Sequence, residues 1–531
     1  MANSKKNILV ADNDPDTLAA VRFHLKMVGY QVFTAKNPTE AMQALQEKIV
    51  HLAIIDLRLK NDRELEYSGL DVAEQVPKYI PFIIYTAFED TLAIKKALGK
   101  IGAKEILDKK APGAASRLID SVNRLFKSDV KVNFNLGMEG AVTCGEIADN
   151  IEFNSNNGSQ PSTDDICQIL ASLFHDAESI RISPLGSVDR LPNQSHSGSL
   201  VMLVQPRYKG GLAEKRVVKF SEKSEILKEQ ECYNEIMRYL GGMRLAVPGE
   251  TAFSRQTGGS IYTVINADWG NIQQFNEYYN ENSVEQISSS LDRFFRQTFD
   301  TIFNAADLQP INIATMYSEG LHLTPAKLNS AMEALRPGHH AWPCIHFAVI
   351  EGEFPNPVTW ILSDREFRKF DRMAKVCLCH GDLHSRNILV DSDGDYWLID
   401  FARVGKSHAL RDFVELETDI KFNLMNDSDL AELHSYERAL LMPGRFMEAV
   451  PPVGFKASGV DKSYKVISTL RQVAARSLEL EGDMREYYEA LLFNTLKILR
   501  LRHISACQKE HALLSASLLC MRLDHWPEWK M

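Results

Sequence analysis

Short apolar runs alternate with helix-period stretches along the first quarter of the chain. Ile8–Ala11, Val32–Thr34, Leu52–Ile55, Phe82–Tyr85 and Glu105–Leu107 read as buried strands. Between them lie amphipathic stretches such as Asp16–Met27 and Thr39–Lys48. Strands that alternate with helices predict a parallel, doubly wound α/β sheet of five strands. The chemistry of such a sheet sits at the carboxyl ends of its strands. Further on, the polar stretch Ser155–Pro161 predicts a linker, followed by a helix capped by Ser162 or Thr163 and running to Phe174, while Val130–Leu136 could form a strand before it. Leu200–Gln205, Arg216–Phe220 and Ile261–Ile265 read as strands, with a helix from Glu225 to Leu240 among them. From about Asn271 the pattern is mainly helical, as in Ser288–Phe303 and Pro325–Leu335, and a loop with Pro337, Gly338, Pro343, Pro355 and Pro357 interrupts it. Val376–Cys379 and Tyr396–Ile399 then read as short buried strands, with a hairpin turn at Asp393-Gly394 before the second.

The 531 residues exceed one ordinary core, and the pattern divides them. The expected partition is 1–127, a connector at 128–180, a strand-rich part at 181–270 and a helical part at 271–531 with an insert at about 271–370. A net charge of −10 argues against non-specific nucleic-acid binding. Eight scattered cysteines, a polar start and no apolar run of bilayer length together predict a cytoplasmic protein with reduced thiols and no membrane partner.

Four polar residues follow four of the first strands: Asp12, Asp56, Thr86 and Lys109. A phosphorylated aspartate needs a divalent cation against the incoming oxygens, and a cationic side chain and a hydroxyl to hold the product. On these residues, 6–126 resembles the receiver domain of bacterial two-component response regulators, whose fold is flavodoxin-like. The resemblance implies Asp56 as phospho-acceptor, Asp12 as an acid of a Mg²⁺ site, Thr86 as switch hydroxyl and Lys109 as phosphate-binding lysine. A histidine kinase or phosphotransfer protein would be the partner. Three departures stand out. Asn13 replaces the usual second acid, which weakens cation binding unless Asp14 compensates. Ile106 stands at the aromatic switch position, and the loop Asn61–Tyr67 is long and acidic.

A second constellation lies at His380-Gly381-Asp382-Leu383-His384-Ser385-Arg386-Asn387, followed by Ile399-Asp400-Phe401. Asp382 is placed to orient, or deprotonate, an acceptor hydroxyl. Asn387 and Asp400 supply oxygen ligands for Mg²⁺ on a nucleotide. Upstream, Lys219 lies between apolar strand residues, and Glu235, with Glu231 as its rival, could position it from a helix. Ser197-Gly198-Ser199 could bring backbone amides to a triphosphate, although an ordinary turn has the same composition. Asn266-Ala267-Asp268 has the character of an adenine-binding hinge. The set resembles the aminoglycoside and choline phosphotransferase group of the kinase-like superfamily, tightly over 376–415 and loosely over 181–500. That implies a bilobal α+β fold, ATP and Mg²⁺ as cofactors, transfer to a hydroxyl of an unknown acceptor, and a structural role for Asp412. Gly381 and the absence of an activation segment separate it from eukaryotic protein kinases.

Other groupings are less telling. Cys377, Cys379 and His380 lack a second ligand pair for zinc. His339, His340 and Cys344 sit in a Pro/Gly-rich loop, and Arg500, Arg502 and His503 form a small basic cluster. The expectation is a response regulator with a phosphotransferase output, controlled through its lobes or through an oligomeric interface such as a homodimer. The alternative is an inactive kinase-like scaffold or nucleotide sensor. A DNA-binding output is not expected, because neither a helix-turn-helix pattern nor a basic stripe is present.

Overall fold

The computed structural model describes residues 5–60, 67–88, 91–151, 153, 160–185, 198–238, 246–264, 272–363, 370–425, 429–501 and 504–527. The chain forms two compact units, one of residues 1–184, 189–226 and 249–261, the other of 185–188, 227–248 and 262–531.

The first unit begins with β1 (Asn7–Ala11), α1 (Pro15–Met27), β2 (Gln31–Ala35), α2 (Pro38–Glu47), β3 (Leu52–Ile55), α3 (Ser68–Gln75), β4 (Phe82–Thr86), α4 (Thr91–Lys96), β5 (Glu105–Asp108) and α5 (Ala114–Ser128). The strands pair in parallel in the order β2-β1-β3-β4-β5. Alternation along β1 splits the core. Leu9 and Ala11 join Ile55, Leu45 and Leu70 on one face, and Ile8 and Val10 join Ile54, Leu25 and Val122 on the other. Each buried leucine or isoleucine contributes about 1.5–3 kcal/mol. Asp14 caps α1 and Asn37 caps α2, with Pro15 and Pro38 at their first turns.

The same unit holds a second sheet. Its elements are β6 (Gly137–Gly140), α6 (Cys144–Asp149), α7 (Thr163–Leu173), β7 (Ser179–Pro184), β8 (Leu200–Tyr208), β9 (Gly211–Leu212), β10 (Arg216–Glu222), β11 (Ala246–Ser254) and β12 (Thr257–Val264), while α8 (Lys223–Ile236), which follows β10, belongs to the second unit from Leu227 onward. The order is β11-β12-β10-β8-β7-β6, with β9 on β8. This corrects the expected partition. The stretch 128–180 is no connector, since its later part supplies β6 and α7, and the expected boundary at 181 falls inside β7. Ile166, Ile169 and Leu170 of α7 bury against Ile180, Met202, Val218 and Phe220 of the sheet. Val130–Leu136 forms no strand; pairing begins at Gly137. Ser162 does cap α7, in a reciprocal box with Asp165.

His51 joins the two sheets of this unit. Its Nδ1 accepts from the Asn7 N–H at 2.9 Å, so Nε2 carries the proton and donates to Gln168 Oε1 at 2.9 Å. Burial pulls its pKa down to about 4, against a smaller opposing effect of Gln168. The unfolded chain therefore takes up this proton first as pH falls. Stability from His51 is complete above pH 6.5 and is lost between 6.5 and about 4, by about 3 kcal/mol in all. Denaturant titrations of wild type and His51→Gln across that window should show the slope in the first and a flatter profile in the second.

The second unit is mainly helical. Its longest helices are Ser458–Ser477, Ala506–Asp524, Val284–Thr298 and Arg485–Ile498. Nearly every residue of Arg485–Ile498 is buried, as befits a central core helix. Two small sheets accompany them: Gln273–Gln274, Ile388–Val390 and Tyr396–Leu398 in one, Asp307–Asn312, Asp371–Cys379 and Gly405–His408 in the other. The Pro-rich stretch read as a loop contains a hairpin, Cys344–Phe347 with Ile350–Pro355, and a helix, Pro357–Leu362. Proline stands there at a strand end and a helix start, where its missing N–H costs nothing. Among the described residues no helix is long and apolar enough to cross a membrane.

Candidate functional site

In the first unit Asp12, Asp56, Thr86 and Lys109 stand at neighbouring strand ends, the Lys109 N–H donating to the Thr86 carbonyl at 2.8 Å, and Asp12, Asp56 and Thr86 are buried. Lys109 Nζ lies 2.6 Å from Asp12 Oδ2 and 2.7 Å from Asp56 Oδ2. Burial pulls the Lys109 pKa down, but the Asp56 and Asp12 carboxylates outweigh it and the net shift is upward. Burial raises the Asp12 pKa, partly offset by Lys109. Asp56 Oδ1 is buried without a hydrogen-bond partner. A buried carboxylate oxygen with no donor suits a group that receives a cation or a phosphoryl. Among the described residues no three His, Cys, Asp or Glu side chains converge as a cation site. Asp14 caps α1, its carboxylate accepting from the N–H groups of Asp16 and Thr17 and the Thr17 hydroxyl.

Three neighbours escaped the sequence reading. The Arg58 guanidinium lies 3.4 Å from the centre of the Phe88 ring, and the Phe88 N–H donates to Thr86 Oγ1 at 3.3 Å. Gly69, at the start of α3, donates its N–H to the Leu57 carbonyl, and a Cβ on it would lie 1.8 Å from the Asp56 carbonyl oxygen. Gly69→Ala must therefore push α3 off the acceptor loop. The expected cost is up to about 3 kcal/mol, with slower labelling of Asp56 by a small phosphodonor, read by denaturant melts and intact mass. Six residues of the acidic loop, 61–66, lie outside the described residues.

In the second unit the motif His380–Asn387 leaves the strand Asp371–Cys379, and Asp400 follows the strand Tyr396–Leu398. Asp382, Asn387 and Asp400 are all buried. The Asn387 Nδ2 donates to the Asp382 carbonyl at 2.8 Å, which fixes the amide plane and leaves the Oδ1 branch for a ligand. Asp400 holds a left-handed backbone at φ 68°, and such strain concentrates at functional positions. Burial raises the Asp382 pKa, but Arg403 and Lys497, at 3.3 and 3.8 Å, together with His384 and His380, outweigh it and hold the carboxyl well below the usual range. Asp382 is thus suited to orienting a hydroxyl and poorly suited to removing its proton. One carboxylate, Asp400, and one amide, Asn387, would make an incomplete shell for Mg²⁺, which phosphate oxygens would have to finish.

Asp412 holds the His380 and Gly381 N–H groups at 2.8 Å each, the structural role expected of it. Gly381 sits at φ 80°, where a Cβ would lie 2.3 Å from the Arg403 carbonyl. The His380 Nε2 faces the Ile399 carbonyl at 3.0 Å, tying the motif to the segment that carries Asp400. Asp391 accepts from the Asp393 and Asp395 N–H groups at 3.0 Å and shapes the expected turn.

Glu235 is the expectation that fails. It and Glu231 are exposed, whereas Glu229 is buried and accepts from the Phe401 N–H at 2.8 Å and from the Tyr262 hydroxyl. The signal was present in the helix period: Ile226, Glu229, Tyr233 and Ile236 form one stripe, and Glu235 stands off it. Lys219 is buried on β10 and Ser199 bonds Ser221 at 3.1 Å through its hydroxyl. Gly198 holds φ 73°. Ser197, the hinge residues 266–268, Arg502 and His503 lie outside the described residues. Cys377 and Cys379 are buried with sulfurs 4.0 Å apart, and His340 bonds Glu333 instead of joining Cys344.

The family described as response regulator receiver domain matches residues 8–123. A second, described as ternary complex associated domain 9, matches residues 346–500. The chain is 34% identical over 86 residues to the transcriptional regulatory protein KdpE of Mycobacterium tuberculosis, covering 16% of this chain and 36% of that one. It is 26% identical over 149 residues to the probable transcriptional regulator ycf27 of Porphyra purpurea, covering 27% and 58%. It thus spans about a third to somewhat over half of the length of these curated relatives. A solved CheY-like receiver domain protein from Methanospirillum hungatei JF-1 is 21% identical, with 24% of this chain and 97% of that one covered and a TM-score of 0.22. The strand order, the Asp12–Asp56–Lys109 cluster and the family match agree: residues 8–123 are a response regulator receiver domain.

Proposed function

We propose that the chain is a response regulator phosphorylated on Asp56 by a histidine kinase or phosphotransfer protein, and that its output is an ATP- and Mg²⁺-dependent phosphotransferase acting on a hydroxyl. The observation that carries the output reading is the support built around residues 380–400. Asp412 clamps His380 and Gly381, the Asp382 carbonyl orients Asn387, and Glu229 takes the Phe401 N–H beside Asp400. A loop without a ligand has little need of this much buried polar positioning. Asn387 and Asp400 would hold the cation, which supplies charge neutralisation on the transferring phosphoryl. Asp382 would orient the acceptor oxygen.

The test is ATP binding and Mg²⁺-dependent turnover by the full chain against Asp382→Asn. Turnover that falls while binding persists supports the reading. Failure of the wild type to bind ATP rejects it. A second reading, a nucleotide-sensing scaffold, is favoured by the ion pairs that keep Asp382 a weak base and by the family description of residues 346–500 as ternary complex associated. Clear ATP binding with no phosphoryl loss in wild type would select it.

A further inference from the structure

We infer that the first unit carries a binding site for a small phosphorylated organic anion with a planar group, at the amino-terminal end of the receiver sheet, away from Asp56. A cavity of about 440 Å³ opens there, between the receiver loops and the second sheet of the same unit. That size suits a single metabolite-sized ligand.

Its charge is unusual for a chain of net charge −10. Lys48 precedes β3, Lys78 precedes β4 and Lys131 follows α5, so three separate loops aim cations at one space. Among the described residues none of the three forms an ion pair. The other two cations of the wall are already matched, Lys104 by Asp129 at 2.7 Å and Arg255 by Asp165. Glu250 is the acid left to oppose the three lysines. Like charges gathered without counter-charge repel each other, and an anion relieves them.

The wall has a second, independent character. The Tyr79 and Phe253 rings, from the turn before β4 and from β11, lie 5.7 Å apart at 36°, with Lys223 Nζ 5.4 and 5.5 Å from their centres. His175 also lines the cavity, and its Nδ1 is buried without a hydrogen-bond partner. Lysines for the phosphate, an unused imidazole nitrogen and aromatic faces for a ring together describe the ligand class.

The test is calorimetric titration of the full chain with adenosine 5′-monophosphate and with inorganic pyrophosphate. EDTA is present throughout, so that neither candidate cation site contributes. Adenosine monophosphate should bind in the micromolar to millimolar range, more tightly than pyrophosphate. It should slow hydrogen exchange at 48–51, 78–81 and 129–132. Lys78→Glu with Lys131→Glu should weaken binding at least tenfold, and Asp400→Asn should leave it unchanged. No binding of either probe, equal binding to the charge-reversed variant, or loss of binding in Asp400→Asn would each overturn the assignment.

Discussion

Asp400→Asn is expected to lower Mg²⁺-dependent ATP turnover by about a thousandfold, the scale of removing one preorganised electrostatic group from a transition state. The size follows from the ligand set. Asn387 is already neutral, so Asp400 brings the one formal charge of the proposed pair. The change leaves two amides for a divalent ion, and hard cations of this kind depend on carboxylate charge. The substitution keeps the shape of the side chain, and asparagine tolerates a left-handed backbone, so φ 68° need not change. Loss of activity through misfolding is thereby separable from loss of ligand charge. Asp382→Asn should behave differently. Its carboxylate faces Arg403 and Lys497, so turnover should fall while nucleotide affinity holds. Turnover and metal dependence measured on both variants check this. Equal turnover in wild type and Asp400→Asn would remove Asp400 from the chemistry.

The receiver was legible because its strands are buried on both faces. A run such as Leu52–Ile55 needs no alternation to be read, and it ends where Asp56 begins. The elements around it follow the sequence pattern to within a residue or two, as with α1 and α2. The second sheet was harder. Its strand β6 is Gly-Met-Glu-Gly, with no β-branched or aromatic residue, and its place depends on pairing with β7 across a long separation. Tertiary context sets such a strand, and local propensity does not. Glu229 was missed for a related reason. Carboxylates are assigned outward by habit, yet its stripe position faced inward with Ile226 and Tyr233. The same habit hid Glu415 and Asp419. With Asp412 they recur at helical spacing on Arg411–Asp419 and all are buried.

That acidic helix underlies the second large effect, expected from Arg471→Met. Asp412 holds the N–H groups of His380 and Gly381, and Asp419 holds that of Ser385 at 2.8 Å, so one helix fixes both ends of the first turn of the motif. The helix is anchored in turn by Glu417, which is wholly buried. Arg471 clasps it with two parallel bonds of 2.8 and 2.6 Å, and the Tyr487 hydroxyl adds a third at 2.6 Å. A forked guanidinium–carboxylate pair of this kind can offset its own desolvation, but one half alone cannot. Arg471→Met should therefore cost about 3–5 kcal/mol, because Glu417 is left charged in an apolar interior. Glu417→Leu combined with Arg471→Met should recover much of that loss, since the two apolar groups need no partner, although the Tyr487 hydroxyl loses its acceptor. Denaturant unfolding of the two variants distinguishes a buried pair from general packing. A loss below about 1 kcal/mol in the single variant would contradict the geometry. The double variant carries the link to function: if Glu417 serves only to seat the helix, stability and the Asp412 and Asp419 contacts return together, and ATP binding returns with them.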